Sequence, residues 1–211
     1  MRERWTLAAM RRLPGLIVGL LLFGAGIAMM AQADLGLGPW EALHQGISRQ
    51  TGIPMGTVSI LLGLPILAAW WPLGERPGPG TLLNIVLIGA ATNVGLAILP
   101  RMVEPPLQVA MSVAGVVTIG LATGLYLAAD LGPGPRDGLM TGLHRRTGWS
   151  IARARTAIEV AVLAAGFLLG GTIGLGTILF AVGIGPIVQA ALRVCDPEGR
   201  VMRRRTLEAA A

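Results

Sequence analysis

The sequence of 211 residues contains no lysine, one cysteine and two histidines, and these shortages exclude several kinds of site. Cys195 alone can form neither a disulfide within one chain nor a cysteine-based metal site. The run "GERPGPG" (74–80) lacks the Lys-Ser/Thr of a phosphate-binding loop. No nucleophile elbow of a hydrolase and no zinc-binding His/Cys set is present. We therefore predict no catalytic residue, no metal site and no cofactor, and we do not expect an enzyme.

Charge is also scarce, whereas apolar residues are abundant. Only 13% of the residues are charged, 53% are hydrophobic, and the mean hydropathy is +0.67. A soluble domain has about 25% charged residues. Several segments approach the roughly 20 apolar residues that a membrane-spanning helix needs. We predict an all-α membrane protein, embedded in the lipid bilayer, with six spans at 14–33, 54–73, 80–99, 107–128, 151–169 and 174–193.

The net charge of +6 is carried on its positive side by arginine alone. The arginines lie between apolar segments and not on one face, so we predict no nucleic-acid binding. If the N-terminus is cytoplasmic, only Arg49 and Arg101 face outward, in agreement with the positive-inside rule. We predict a multi-pass protein of the bacterial cytoplasmic (inner) membrane, with both termini and the Arg-rich tail 196–211 in the cytoplasm. The first apolar run exceeds the about 7–15 residues of a signal-peptide core, and we interpret it as a retained span.

One phrase occurs twice in the chain. "ADLGLGPWEALHQGISRQTG" (33–52) returns 96 positions later as "ADLGPGPRDGLMTGLHRRTG" (129–148). The matches concentrate on Gly, Pro and Asp, which shape the backbone, and not on the common apolar residues. The sequence therefore predicts one membrane domain, 1–211, made of two repeats of three spans, 14–99 and 107–194. Because three is odd, the second repeat enters from the opposite side, which gives a 3+3 inverted repeat as in many secondary transporters.

Each copy of the phrase predicts a short helix of about 13 residues, roughly 20 Å long, which is too short to span a bilayer. Pro39 suits a first helical position, and Gly52 suits a left-handed C-cap. The helix could lie flat at the interface, with Trp40, Leu43 and Ile47 facing lipid, and Leu139, Met140 and Leu143 doing so in the second copy. Alternatively, each phrase is re-entrant and its breaks line a central path.

The candidate residues of a solute path are those of the phrase and one carboxylate of the fifth span. Asp34 and Asp130 could also be turn or cap residues, and Glu41 and Asp137 suit the dipole at a helix start. Because Glu41 and Asp137 already supply a carboxylate at the start of each short helix, they argue against an anionic ligand there. Glu159 is a costly carboxylate within a span, although Arg155 could pair with it. The full set is Asp34, Gly36, Gly38, Pro39, Glu41, Asp130, Gly132, Gly134, Pro135, Asp137 and Glu159.

The residues "DLGLGPWEALHQGISRQTGIPMGTVSILLG" (34–63), followed by "PGPGTLLNIVLIG" (77–89), resemble the YczE/YitT-type bacterial integral membrane proteins. The resemblance covers roughly residues 12–195 and implies a polytopic inner-membrane protein of about six spans. That family has no settled activity, so the resemblance supplies no catalytic residue. The second copy departs from the phrase at Trp40/Arg136 and at His44/Met140, which argues against shared chemistry at those positions.

The leading functional hypothesis is a small-solute transporter or channel of unknown substrate. The alternative is a non-transporting accessory or scaffold protein that acts through its cytoplasmic loops and tail. Small-residue steps such as Gly15/Gly19 and Gly120/Gly124 favour close helix packing, either within the chain or in a homodimer.

If Glu159 is a coupling or binding carboxylate, Glu159→Gln abolishes solute flux and leaves folding intact, because an amide cannot carry the charge. The measurement is uptake into proteoliposomes, with thermal unfolding as the control for folding. Normal flux in this variant would remove Glu159 from the mechanism.

Overall fold

The computed structural model describes residues 7–197 and residue 199, with side chains from Met10 onward. All regular secondary structure in this described part is α-helical. The eight helices are α1 (Leu7–Ala33), α2 (Pro39–Thr51), α3 (Met55–Leu73), α4 (Pro79–Ile98), α5 (Pro105–Ala128), α6 (Pro135–Thr147), α7 (Ile151–Leu168) and α8 (Leu175–Cys195).

The two short helices, α2 and α6, have the predicted position and length. Each has 13 residues, begins with proline after an extended glycine, and ends at a left-handed glycine. Their bounds lie 96 positions apart, as do the starts of α3 and α7 and those of α4 and α8. Proline at the start and glycine at the end of each segment therefore predict the bounds of these helices correctly.

Among the described residues, five helices are long and apolar enough to cross a membrane: α1 from Met10, α3, α4, α5 and α8. Large apolar side chains cover their outer surfaces; Trp71 and Ile98, for example, are 90% and 73% exposed. The remaining predicted span, 151–169, corresponds to α7. This helix is present, but its 18 residues include Arg153, Arg155 and Glu159, so it is not among the five.

The long helices α1 and α5 pack against each other at the centre, with α4 against α1 and α8 against α5. Leu20 and Ile27 of α1 and Ile119 of α5 are almost completely buried there. Each short helix lies against a long helix of the other half, since α2 packs on α7 and α6 packs on α3. The two halves of the chain are thus interlocked and do not simply lie side by side.

The backbone that precedes each short helix also contacts the opposite half. Gly176 at the start of α8 donates its N–H to the carbonyl of Leu35 (2.7 Å), and Gly80 at the start of α4 donates to Leu131 (2.9 Å). Gly36 has φ +116, and a Cβ built on it would lie 2.5 Å from the backbone nitrogen of Gly174. This position therefore requires glycine for both its conformation and its close approach to the backbone.

We expect Gly36→Ala to destabilise the protein more than Gly52→Ala does. Gly52 also has positive φ (+74), but a Cβ there meets no atom within 4 Å. The control should cost about 1–2 kcal/mol of conformational energy. Gly36→Ala adds about 1–3 kcal/mol of steric strain. Thermal unfolding in detergent gives the comparison, and equal midpoints would contradict the close approach of the two backbones.

Candidate functional site between the two short helices

The first turns of α2 and α6 meet through an ion pair. Arg136 Nη2 of α6 lies 2.6 Å from Glu41 Oε1 of α2. The same guanidinium stacks over the ring of Trp40, with 5.2 Å from its carbon to the ring centroid. One arginine of the second half therefore contacts two consecutive residues of the first half, combining a charge-assisted hydrogen bond with a cation–π interaction.

This cluster is buried. The exposed fractions are 3% for Glu41, 6% for Trp40 and 3% for His44, which lies one turn after Glu41 on α2. The side chain of Arg136 is 29% exposed. Burial of a charged pair costs free energy through lost hydration, and the pair must be held well to offset that cost. Such a pair in the interior is a candidate for function as well as for structure.

Two polar atoms of the cluster have no hydrogen-bond partner among the described residues. These atoms are Oε2 of Glu41, an acceptor, and Nε1 of Trp40, a donor. Buried polar atoms are almost always paired, so each unpaired one requires an explanation. Within this buried cluster, the unpaired acceptor and the unpaired donor are the groups that a polar solute or water would contact.

Glycine at the N-cap of each short helix lets other groups approach the helix start closely. A Cβ on Gly38 would lie 2.6 Å from Oε2 of Glu41 and 3.0 Å from the ring of Phe180, so any side chain would displace the carboxylate. At the equivalent Gly134, a Cβ would be surrounded by polar groups: Oδ2 of Asp137 at 3.5 Å, the hydroxyl of Tyr126 at 3.7 Å and the amide nitrogen of Asn84 at 3.9 Å. The start of α2 thus faces an aromatic ring, and that of α6 faces a polar group.

The end of α2 is held at a first set of loops, which are those that follow α1, α4 and α7. Asp34, in a turn with φ +54, accepts a hydrogen bond from Thr172 (3.2 Å) and forms ion pairs with Arg49 (3.6 Å) and Arg101. Gln45 accepts a hydrogen bond from the N–H of Thr172 (2.7 Å). Asp34 therefore ties the ends of α1 and α2 to the α4–α5 and α7–α8 loops.

The end of α6 is held at a second set of loops. Arg145 lies 2.6 Å from Glu75, which also accepts a hydrogen bond from Thr141 (2.8 Å). Arg146 donates to the carbonyl of Pro72 (3.0 Å), and Trp70 donates through its indole nitrogen to the carbonyl of Pro135 (3.0 Å). The last turn of α3 thus anchors both ends of α6.

The structure brings part of the predicted path together. Around the meeting point lie Gly38, Pro39, Glu41, Gly134, Pro135 and Asp137. Gly36 and Gly132 lie in the loops that contact the opposite half, and Asp34 and Asp130 occupy positive-φ turns. Glu159 forms the local pair with Arg155 (2.9 Å) on a partly exposed face of α7.

Three residues of the site were not predicted: Trp40, His44 and Arg136. The sequence signal for them is the departure of the second copy at these positions, which by itself argues against shared chemistry. The flat-lying alternative is also wrong for Trp40 and Met140, which it placed against lipid, because their exposed fractions are only 6% and 7%. The tail lies outside the described residues except for 196, 197 and 199.

No group of three His, Cys, Asp or Glu side chains in the described part of the chain could hold a metal ion. The site is defined by the ion pair, the unpaired indole and carboxylate atoms, and the polar groups at Gly134. A meeting of two broken segments inside a bundle of apolar helices is a feature of multi-pass α-helical membrane proteins.

The chain belongs to the family of unknown function DUF6198, whose model matches residues 10–193. It is similar to an uncharacterized protein of Haemophilus influenzae, with 39% identity over 90% of this chain and 87% of the relative. It is 37% identical to the uncharacterized membrane protein YczE of Bacillus subtilis, over 90% of this chain and 85% of the relative. These matches confirm the YczE-type resemblance, and together with the five apolar helices they indicate a multi-pass membrane protein. No solved structure matches the chain.

Removing one partner of the Glu41–Arg136 pair should destabilise the protein strongly, because the other charge stays buried. We expect about 3–5 kcal/mol for Glu41→Gln or Arg136→Gln alone, and less than their sum for the double variant. The exposed Arg155–Glu159 pair is the matched control, at about 0.3–0.5 kcal/mol. Thermal unfolding of the four variants in each set measures the coupling, and strict additivity at Glu41 and Arg136 would contradict a buried pair.

Proposed function

We propose that this protein is a transporter or channel for a small solute in the bacterial inner membrane, with its path at the meeting of α2 and α6. The observation that carries this proposal is the buried Glu41–Arg136 pair, with the unpaired Oε2 of Glu41 and Nε1 of Trp40 beside it. The two short helices would be re-entrant, and their first turns would form the narrowest part of the path.

Six crossings require α7 to span the bilayer, and its ends support this. Its C-terminal end lies by the first set of loops, where Gln50 donates to the carbonyl of Leu169 (3.0 Å). Its N-terminal end follows α6, whose last turn is held by Glu75 at the second set. The helix therefore runs from one set of loops to the other. Its Arg153 and Arg155 lie in the first two turns, where arginine side chains reach the membrane surface.

The 3+3 inverted repeat is supported by contacts that recur with the two halves exchanged. The hydrogen bond from Gly176 to Leu35 corresponds, at an offset of 96 positions, to that from Gly80 to Leu131. The packing of α2 on α7 corresponds to that of α6 on α3. Two halves of three crossings each have opposite orientations, so such an exchange follows a two-fold axis in the membrane plane.

The orientation follows from the arginines at the two sets of loops. Arg145 and Arg146 lie at the second set, with Arg76 and Arg153 close in sequence to it. At the first set, Arg49 and Arg101 both form ion pairs with Asp34. Under the positive-inside rule, the second set of loops, and with it both termini, would lie in the cytoplasm.

Re-entrance is supported by the way the helices are held. The end of α2 is fixed at the first set of loops through Asp34 and Gln45. Its first turn nevertheless reaches Arg136 of α6, whose end is fixed at the second set of loops. The irregular backbone at 36–38 is buried between helices. Non-helical backbone at membrane depth survives only when enclosed by protein or beside a water-filled path.

Cysteine accessibility tests this proposal. In a variant without Cys195, single cysteines along 34–52 and 130–148 would be treated with a membrane-impermeant thiol reagent from each side. We expect positions in the first turns of both helices to react through water and the reaction to block solute uptake. Gln50 and Arg146, exposed at opposite ends, are control positions that should react from one side only and leave uptake unchanged.

Reaction confined to one face of each helix, and only from its own side, would contradict a path through this site. In that case the two phrases would lie at the interfaces. A role that depends on protein partners of the cytoplasmic loops and tail would then be favoured over transport.

A further inference from the structure

We infer that the site takes a small solute without net charge that carries both a hydrogen-bond donor and an acceptor. The zwitterion of an amino acid and a neutral amide are the two forms of this chemistry. The inference rests on the proposed function and concerns the same cluster of Trp40, Glu41 and Arg136.

The opposite charges of the buried cluster balance each other. Glu41 and Arg136 compensate each other at 2.6 Å. With His44 neutral, the buried cluster of Trp40, Glu41 and Arg136 therefore carries no net charge. A solute with net charge would therefore bring an uncompensated charge into a buried site, which is costly.

The site leaves one hydrogen-bond acceptor and one donor without a partner among the described residues. Oε2 of Glu41 can only accept, and Nε1 of Trp40 can only donate. A solute that satisfies both must donate to the first and accept from the second. In a zwitterion the ammonium group would contact Glu41, and the carboxylate would contact the Trp40 N–H with Arg136 beside it.

The starts of α2 and α6 carry different side chains at equivalent positions of the repeat. Positions 40 and 136 are equivalent in the repeat, and so are 41 and 137, but Trp40 and Arg136 have different side chains. The arginine donors thus come from one half, whereas the indole and the paired carboxylate come from the other. A solute with two different ends matches two different halves, whereas a monatomic ion would need no such difference.

The experiment measures uptake of four probes into proteoliposomes, corrected for empty liposomes: glycine, acetamide, guanidinium and methanesulfonate. The last two keep their single charge at all accessible pH values. We expect glycine or acetamide to enter at least about tenfold faster than either ion, a ratio that corresponds to about 1.4 kcal/mol. Glycine alone would identify the zwitterion, and acetamide alone would identify the neutral amide.

Charge variants separate a binding role from a structural one. Glu41→Gln leaves Arg136 uncompensated, so we expect the uptake of methanesulfonate relative to glycine to rise at least about tenfold. Arg136→Gln should raise guanidinium relative to glycine in the same way. The double variant Glu41→Gln/Arg136→Gln should restore the preference for uncharged probes. Arg153→Gln, an exposed change outside the site, should leave all ratios unchanged.

The outcomes distinguish this inference from the proposed function. Preference of the unaltered protein for guanidinium or methanesulfonate would overturn the inference and leave transport standing. An equal loss for all four probes in the charge variants would also overturn it, because Glu41 and Arg136 would then serve only folding. Absence of uptake for every probe would overturn both the inference and the transport proposal.

Discussion

Two backbone hydrogen bonds, from Gly176 to Leu35 and from Gly80 to Leu131, determine how the chain can be arranged. Each joins the non-helical segment before a short helix of one half to the first turn of α8 or α4 in the other half. In an apolar environment, unpaired backbone groups cost several kcal/mol, at about 2–7 kcal/mol for an amide. Neither half can satisfy its own broken segment, so each depends on the other. The close approach that these bonds require also explains why glycine occurs on both sides of the contact.

The same exchange positions the site. Because α2 lies on α7 and α6 lies on α3, the starts of the short helices point toward each other instead of into their own halves. The backbone there follows the repeat closely, with φ of +54 and +51 at Asp34 and Asp130. The side chains do not follow it. A regular backbone supplies the shape of the site, while the differences between the halves supply its charge and hydrogen bonding.

Local residue patterns predicted the parts of the fold that depend on local physics. Pro39, Gly52, Pro135 and Gly148 gave the bounds of α2 and α6, since proline and glycine act on their own backbone. The pair of Glu41 and Arg136 lies 95 positions apart in the chain, and no local rule connects them. The sequence also drew attention to Glu159, which has a nearby partner in Arg155. Glu41 is buried, whereas Glu159 is partly exposed. This difference arises only when the two halves pack together, so no local pattern predicts it.

The contact between Trp40 and Arg136 has a consequence for the origin of the chain. These residues occupy equivalent positions in the two halves, so their contact lies on the axis that would relate the halves. In a dimer of two identical three-span chains, each residue on such an axis meets its own copy. Two arginines there would repel each other, and two tryptophans would give no charge for Glu41 to pair with. A contact between two different residues on the axis is therefore closed to a homodimer, and it requires two halves whose equivalent positions can change independently.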